Sequence, residues 1–315
     1  MPLDPQARVY LDKLESLKLP GFHTMPPVEA RRLFRAMRGL TGKPDPVEAV
    51  EERNTPNSVP LRAYRPLGAD SGPLPVLVYF HGGGWVLGDL ETVDNLCRRL
   101  ANASGCAVVS VDYRPSPEAK FPAPLDDCFE ATRCVAAEAS SFGIDPDRIA
   151  VGGDSAGGNL AAAVALRSLE LGSPKVAFQL LIYPILDYSF DTPSYSENAE
   201  GYGLSRDMMA WYWDQYLAEP SDGLSPLASP LRAGDLSGLP PALVITAGYD
   251  VLRDEGQAFA RRLEEAGVEV ELKDYPGMIH GFLQMADSFD QGKLAIQHAG
   301  QSLRAALTRE NRPRT

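Results

Sequence analysis

Val151-Gly152-Gly153-Asp154-Ser155-Ala156-Gly157-Gly158-Asn159 is the stretch on which the fold of this chain turns. It continues the β-rich run Ile149-Ala150-Val151 and leads at once into Leu160-Ala161-Ala162-Ala163-Val164-Ala165-Leu166, a run rich in helix formers. A serine set between glycines at a strand-to-helix junction makes a sharp turn that lifts its hydroxyl above a sheet. The glycines have a steric reason. A Cβ at Gly153 or Gly157 would collide with the adjacent strand or helix, while Ser155 itself takes strained backbone angles. So short a pattern recurs by chance, and its surroundings carry the weight.

Outward from the serine, apolar runs alternate with helical patterns. Residues 75–80, 107–111, 178–183 and 242–246 are apolar rather than alternating, which marks strands covered on both faces. Helical spacing covers residues 91–103, 125–139, 155–171 and 253–266, the last stopping at Gly267, where a helix end favours glycine. Strand and helix in alternation predict an α/β fold, a mostly parallel doubly wound sheet flanked by helices.

Two segments stand outside the alternation. Residues 1–45 carry helical spacing at Val9, Leu11, Leu14 and Leu17 and again at Leu33, Phe34, Met37 and Leu40, broken by Pro20-Gly21 and Pro26-Pro27. Residues 187–235 lie between two core strands and are rich in aromatics, among them Tyr188, Phe190, Tyr195, Trp211, Tyr212, Trp213 and Tyr216. A long insertion at the C-terminal end of a parallel strand lies over the crevice where such sheets bind ligands. Together the two segments read as a helical cap on a catalytic domain of residues 46–315, with aromatic side chains walling the pocket.

The second chemical signal is Phe80-His81-Gly82-Gly83-Gly84-Trp85, directly after the strand at 75–80. Successive glycines leave backbone N–H groups unshielded and free to face an anion. In acyl transfer such donors meet the oxygen of the tetrahedral intermediate, together with the N–H of the residue after the nucleophile. The candidate donors are Gly83, Gly84 and Ala156. A serine also needs a base to take its proton and a carboxylate to orient that base. Of the four histidines, His23 lies in the N-terminal segment, His81 belongs to the glycine loop and His298 sits in a C-terminal helical pattern. His280 follows the run 268–274 in a loop where a strand end delivers it to the top of the sheet. For the acid, Asp250 follows the strand at 242–246, with Asp254 and Asp274 as rivals; Asp254 reads as part of the next helix's first turn.

Composition narrows the partners. Asp and Glu number 42 against 30 Lys and Arg, a net charge of −12, and no basic run appears, so nucleic acid is excluded as a partner. No apolar run approaches the length of a membrane span, so no stable membrane insertion is expected, and the opening Met1-Pro2-Leu3-Asp4 lacks the features of a secretory signal. A cytoplasmic protein is the expectation. Cys97, Cys106, Cys128 and Cys134 form no Cys-x-x-Cys pair and are expected as buried free thiols in helices or strands.

The nucleophile, acid and base follow in the order Ser155, Asp250, His280, that of α/β-hydrolases. His81–Trp85, Gly153–Asn159, Tyr249–Gly256 and Ile279–Phe282, with residues 112–127, resemble the bacterial branch of the hormone-sensitive-lipase family of carboxylesterases, over roughly residues 45–315. The resemblance implies the α/β-hydrolase fold with a helical cap, Ser155, Asp250 and His280 as triad, and Gly83, Gly84 and Ala156 as oxyanion hole. It implies a small-molecule ester as substrate, no cofactor and commonly a homodimer. His81, with Gly82, is implied to hold the glycine loop rather than move protons. Asp154 has two structural readings, an anchor for that loop or, the favoured one, a cap for the helix that opens at Ser155. Tyr113-Arg114-Pro115-Ser116-Pro117-Glu118 departs from the family's usual wording and bears only on local loop shape. The same triad would suit an amidase or carbamate hydrolase, and a receptor that had lost its chemistry would share the fold; an intact His280 speaks against the receptor.

Overall fold

Eight strands make one sheet in the computed structural model, which describes residues 1–37, 43–69 and 72–308; Leu40, part of the expected N-terminal helical pattern, lies outside the described residues. The strands are β1 (Ala49–Asn54), β2 (Pro60–Arg65), β3 (Leu74–Phe80), β4 (Ala107–Val111), β5 (Ile144–Asp154), β6 (Phe178–Ile182), β7 (Ala242–Tyr249) and β8 (Val270–Ile279). They stand in the order β1-β2-β4-β3-β5-β6-β7-β8. From β4 to β8 every neighbouring pair is parallel, and β2 runs antiparallel to β1 and β4. The expected parallel core is therefore present, and β5 runs three residues beyond Val151 to Asp154. The hairpin β1–β2 has no counterpart in the sequence reading. β1 reads Ala-Val-Glu-Glu-Arg-Asn and lies at the sheet edge, where no apolar run is required.

The helices are α1 (Pro5–Ser16), α2 (Pro27–Ala36), α3 (Asp94–Ser104), α4 (Ala123–Ala137), α5 (Ala139–Phe142), α6 (Ala156–Leu171), α7 (Pro193–Glu197), α8 (Arg206–Tyr216), α9 (Arg253–Glu265) and α10 (Asp290–Thr308). Because strand side chains alternate between faces, β3 sends Val76, Val78 and Phe80 into one core with α4, α6 and α9. Leu77 and Tyr79 enter the other, with α1, α3 and α10. All four cysteines are free and buried, with Cys106 one residue ahead of β4 rather than inside an element.

The N-terminal segment is tied down at its start, where Asp4 N–H donates to Gly277 O at 3.0 Å and the Asp4 side chain caps α1 by accepting from Gln6 N–H at 2.8 Å. Its residues Tyr10, Leu14, Phe22 and Phe34 line a cleft that Leu204, Met208 and Tyr212 of the insertion also line. The insertion's aromatics divide, contrary to the expectation that they wall the pocket together. Only Tyr212 lines the cleft, while Tyr195, Trp213 and Tyr216 are wholly buried. Trp85 explains the division: its ring stacks on Tyr216 at 4.1 Å and tilts against Trp213 at 4.6 Å, so those rings bind the insertion to the loop after β3. Among the described residues, no helix is long and apolar enough to cross a membrane.

Candidate active site

Ser155, Asp250 and His280 each come directly after the last residue of a parallel strand, β5, β7 and β8 respectively, and the loop 81–88 follows β3. Parallel strands end on the same edge, so residues far apart in the chain meet there. His280 Nε2 lies 3.0 Å from Ser155 Oγ, and His280 Nδ1 lies 2.7 Å from Asp250 Oδ2. Asp250 is buried, and its other oxygen accepts from Leu252 N–H at 3.0 Å. The rivals are engaged elsewhere: Asp254 accepts from Ser194 N–H at 2.7 Å and Asp274 from the Thr246 hydroxyl at 2.9 Å. Tyr183 lays its ring 4.6 Å from the His280 imidazole, limiting its rotation.

The turn at Ser155 has the expected strain, with φ 58° and ψ −118°. Its N–H donates to Ile182 O at 2.9 Å, and its carbonyl accepts from Ile185 N–H at 3.2 Å, so β6 and the chain after it hold the turn. A Cβ on Gly153 or Gly157 would run into the Phe80 carbonyl. This is the collision that the sequence reading assigned to these glycines, and the obstacle is the end of β3, joined at Gly153 by the Gly157 carbonyl of α6.

In the glycine loop, Gly83 and Gly84 have φ of 112° and 59°. Gly83 O accepts from Val86 N–H at 3.1 Å and Leu87 N–H at 2.8 Å, which closes the loop into a turn. Ala156 opens α6, where the N–H has no carbonyl four residues back to serve. Gly83, Gly84 and Ser155 all line the cleft, a space of about 210 Å³.

The favoured capping role for Asp154 is not what the structure holds, because among the described residues no side chain caps α6. Asp154 Oδ1 instead accepts from Gly82 N–H at 3.0 Å and Tyr79 OH at 2.7 Å, and Oδ2 accepts from the Gln284 amide at 2.6 Å. These donors pull the carboxyl toward β3 and the glycine loop, away from the helix end. Burial pushes the Asp154 carboxyl up, against the lowering effect of Tyr79, His81 and Gly82. Burial likewise raises the Tyr79 phenol, so it stays a donor at any ordinary pH. His81 Nδ1 lies 2.9 Å from Gly82 O, and its ring stacks on Tyr113 at 4.2 Å, whose hydroxyl donates to His81 O at 2.8 Å. His23 sits in a 3-10 turn of the N-terminal segment and His298 pairs with Glu271 at 2.7 Å. Sequence reasoning gave no role to Gln284, Tyr79, Tyr113 or Tyr183; Tyr113, inside the segment 112–127, and Gln284, four residues past His280, carried a local signal.

A family model described as the alpha/beta hydrolase fold matches residues 77–284. The ethyl acetate hydrolase of Pseudomonas putida is 37% identical over 96% of this chain and 99% of its own length. Carboxylesterase NlhH of Mycobacterium tuberculosis is 43% identical over 79% of this chain and 81% of its length. Among solved structures, an ester-hydrolase from the metagenome of Lake Arreo, complexed with a derivative of bipyridine phosphonate, superposes with a TM-score of 0.92 at 45% identity, covering 96% of this chain and 98% of that one. With a matching family model over most of its length and relatives of this identity and coverage, the chain belongs to the alpha/beta hydrolase family and, within it, to the hormone-sensitive-lipase-like carboxylesterases.

Proposed function

We propose that the chain is a serine carboxylesterase that hydrolyses small, short- to medium-acyl esters through an acyl-enzyme, with Ser155, His280 and Asp250 as its triad. The line Ser155 Oγ, His280 Nε2, His280 Nδ1, Asp250 Oδ2, with separations of 3.0 and 2.7 Å, is the observation that carries it. With Nδ1 protonated toward the carboxylate, Nε2 is free to accept the serine proton. Ser155 Oγ attacks the ester carbonyl as His280 takes that proton. The oxyanion gathers the N–H groups of Gly83, Gly84 and Ala156. Collapse breaks the bond to the alkoxy group, which leaves with the proton from His280. A water then gives a proton to His280 and attacks the acyl carbonyl; collapse breaks the bond to Ser155 Oγ, which takes that proton back from His280 as the carboxylic acid departs. Asp250 stabilises the imidazolium at each stage and Asp154 with His81 holds the glycine loop.

Residues 1–45 and 187–235 act together as the cap that selects the acyl group. The family likeness supports a homodimer, which light scattering on the purified chain tests. The free, buried cysteines support a reducing, cytoplasmic compartment, read by cell fractionation.

Treatment with a fluorophosphonate, digestion and mass spectrometry test the mechanism, beside turnover of p-nitrophenyl acetate and of the matching anilide. The expected result is a single adduct on Ser155, ester turnover, and none in Ser155→Ala. An adduct on another serine, or an active Ser155→Ala, would overturn the triad. Faster anilide than ester turnover would make the chain an amidase.

A further inference from the structure

The loop that carries the oxyanion donors is gripped from outside the sheet by one arginine of the N-terminal segment. On α2, Ala30 is buried and Phe34 lines the cleft, while Arg31 and Arg35, one turn apart, share the adjoining face. Arg31 Nε donates to Val86 O at 2.7 Å, Nη2 to Ser116 O at 2.7 Å, and Nη1 to Glu118 Oε1 at 2.8 Å. The acceptors are themselves linked. Ser116 N–H donates to Trp85 O at 2.9 Å, and Val86 N–H to Gly83 O at 3.1 Å, so the guanidinium closes a ring of bonds around the glycine loop.

That loop needs holding. Gly83, Gly84 and Trp85 follow one another with φ of 112°, 59° and 59°. Glycine takes such angles freely, but Trp85 does not, and a left-handed non-glycine residue persists only where its surroundings over-determine it. Below the loop, Trp85 is pinned by its ring stack; above it, Arg31 fixes the next peptide. A planar guanidinium with donors in three directions suits two carbonyls and a carboxylate at once, which a lysine ammonium does not match.

We infer that Arg31 is a positioning residue for the ester hydrolysis proposed above, one that aims the Gly83 and Gly84 N–H groups through Val86 and Trp85. The N-terminal segment thereby contributes to rate as well as to substrate choice. The inference rests on the esterase reading.

The test uses the full chain with Arg31→Met, Arg31→Lys and, as a control for charge on the same helix, Arg32→Met at an exposed position. Turnover of p-nitrophenyl acetate is measured with the inhibition constant of a trifluoromethyl ketone, whose tetrahedral adduct on Ser155 places an oxyanion among the same donors. Misaiming them in Arg31→Met is expected to lower kcat by about 10- to 100-fold, with KM within about twofold. The ketone should weaken by the same factor as kcat falls. Arg31→Lys should fall in between, and Arg32→Met should match wild type. A purely structural Arg31 would shift the melting temperature or KM and leave kcat and ketone affinity alone. That result overturns the inference, as does wild-type kcat in whichever Arg31 variant folds, or an equal loss in Arg32→Met. An inactive wild-type chain overturns the esterase reading as well; an active one with unaffected Arg31 variants overturns the inference alone.

Discussion

Gly82 N–H donates to Asp154 Oδ1 across 3.0 Å, though 72 positions separate the two residues in the chain. The bond ties the loop after β3 to the residue before Ser155, so the proposed nucleophile and the glycine loop share one anchor. Asp154→Ala would strand the buried Gly82 N–H and Tyr79 hydroxyl and release the Gln284 amide, which lines the cleft. Each unsatisfied buried donor costs about 1–3 kcal/mol. The expected outcome is a lower melting temperature and a kcat reduced by about tenfold or more on p-nitrophenyl acetate. Asp154→Asn keeps one acceptor oxygen and should lose less. A wild-type kcat and melting temperature in Asp154→Ala would show that the anchor is idle.

The two loop glycines should differ when replaced. A Cβ on Gly83 would strike the Leu87 carbonyl, part of the backbone, whereas one on Gly84 would strike the Tyr212 ring, a side chain from the insertion. Both variants should lose kcat by about 10²–10³ through a misplaced donor. Gly83→Ala should also unfold at a lower temperature, because backbone cannot swing aside. Steady-state kinetics with thermal melts reads both effects, and equal melting temperatures would count against the steric account.

Glu255 on α9 supplies a pH dependence of stability. It is buried, its Oε1 accepts from Leu186 N–H at 3.0 Å, and Oε2 has no partner among the described residues. Burial pushes this carboxyl well above the usual range. From the ordinary glutamate value of about 4.3 up to the raised native value, the folded chain holds the proton and the unfolded chain does not. The stability so contributed is complete below that lower limit and is lost as pH rises through the window, by up to about 1.4 kcal/mol per pH unit. Glu255→Gln retains an acceptor oxygen and removes the charge, so urea unfolding between pH 5 and 8 should show a flatter slope than wild type. An unchanged slope would mean that another group sets it.

Cleft size should set acyl-chain preference. A space of about 210 Å³ between the N-terminal residues and α8 admits a limited chain. Each methylene that fits adds about 0.8 kcal/mol, and overpacking costs about 1–3 kcal/mol. On p-nitrophenyl esters, kcat/KM should rise from acetate to a maximum at short or medium length and then fall. Met208→Trp, at the insertion wall, should move that maximum to a shorter acyl group while leaving acetate turnover within about threefold, since the change lies in binding space. An unmoved maximum would place the acyl chain elsewhere.

What was legible in the sequence was local. The spacing of Gly153, Ser155 and Gly157 between a β-rich run and a run of helix formers announces a tight turn, whereas the β3 carbonyl that excludes a Cβ there comes from the tertiary structure. The apolar runs of β3, β4 and β6 announce a sheet covered on both faces, and the order Ser155, Asp250, His280 follows from which strand each residue ends. β1 escaped notice because an edge strand needs no apolar run. The tertiary structure alone decided the rest. Asp154 looks like a helix cap in sequence and becomes a loop anchor because Gly82, Tyr79 and Gln284 converge on it from β3 and from the loop after His280. The aromatics of the insertion look alike in sequence, yet Trp213 and Tyr216 turn inward and Tyr212 faces the cleft, since Trp85 claims the first two. Arg31 is one of several arginines until α2 lies across the glycine loop. In each case the partner is remote in the chain, and a side chain's direction depends on what packs against it.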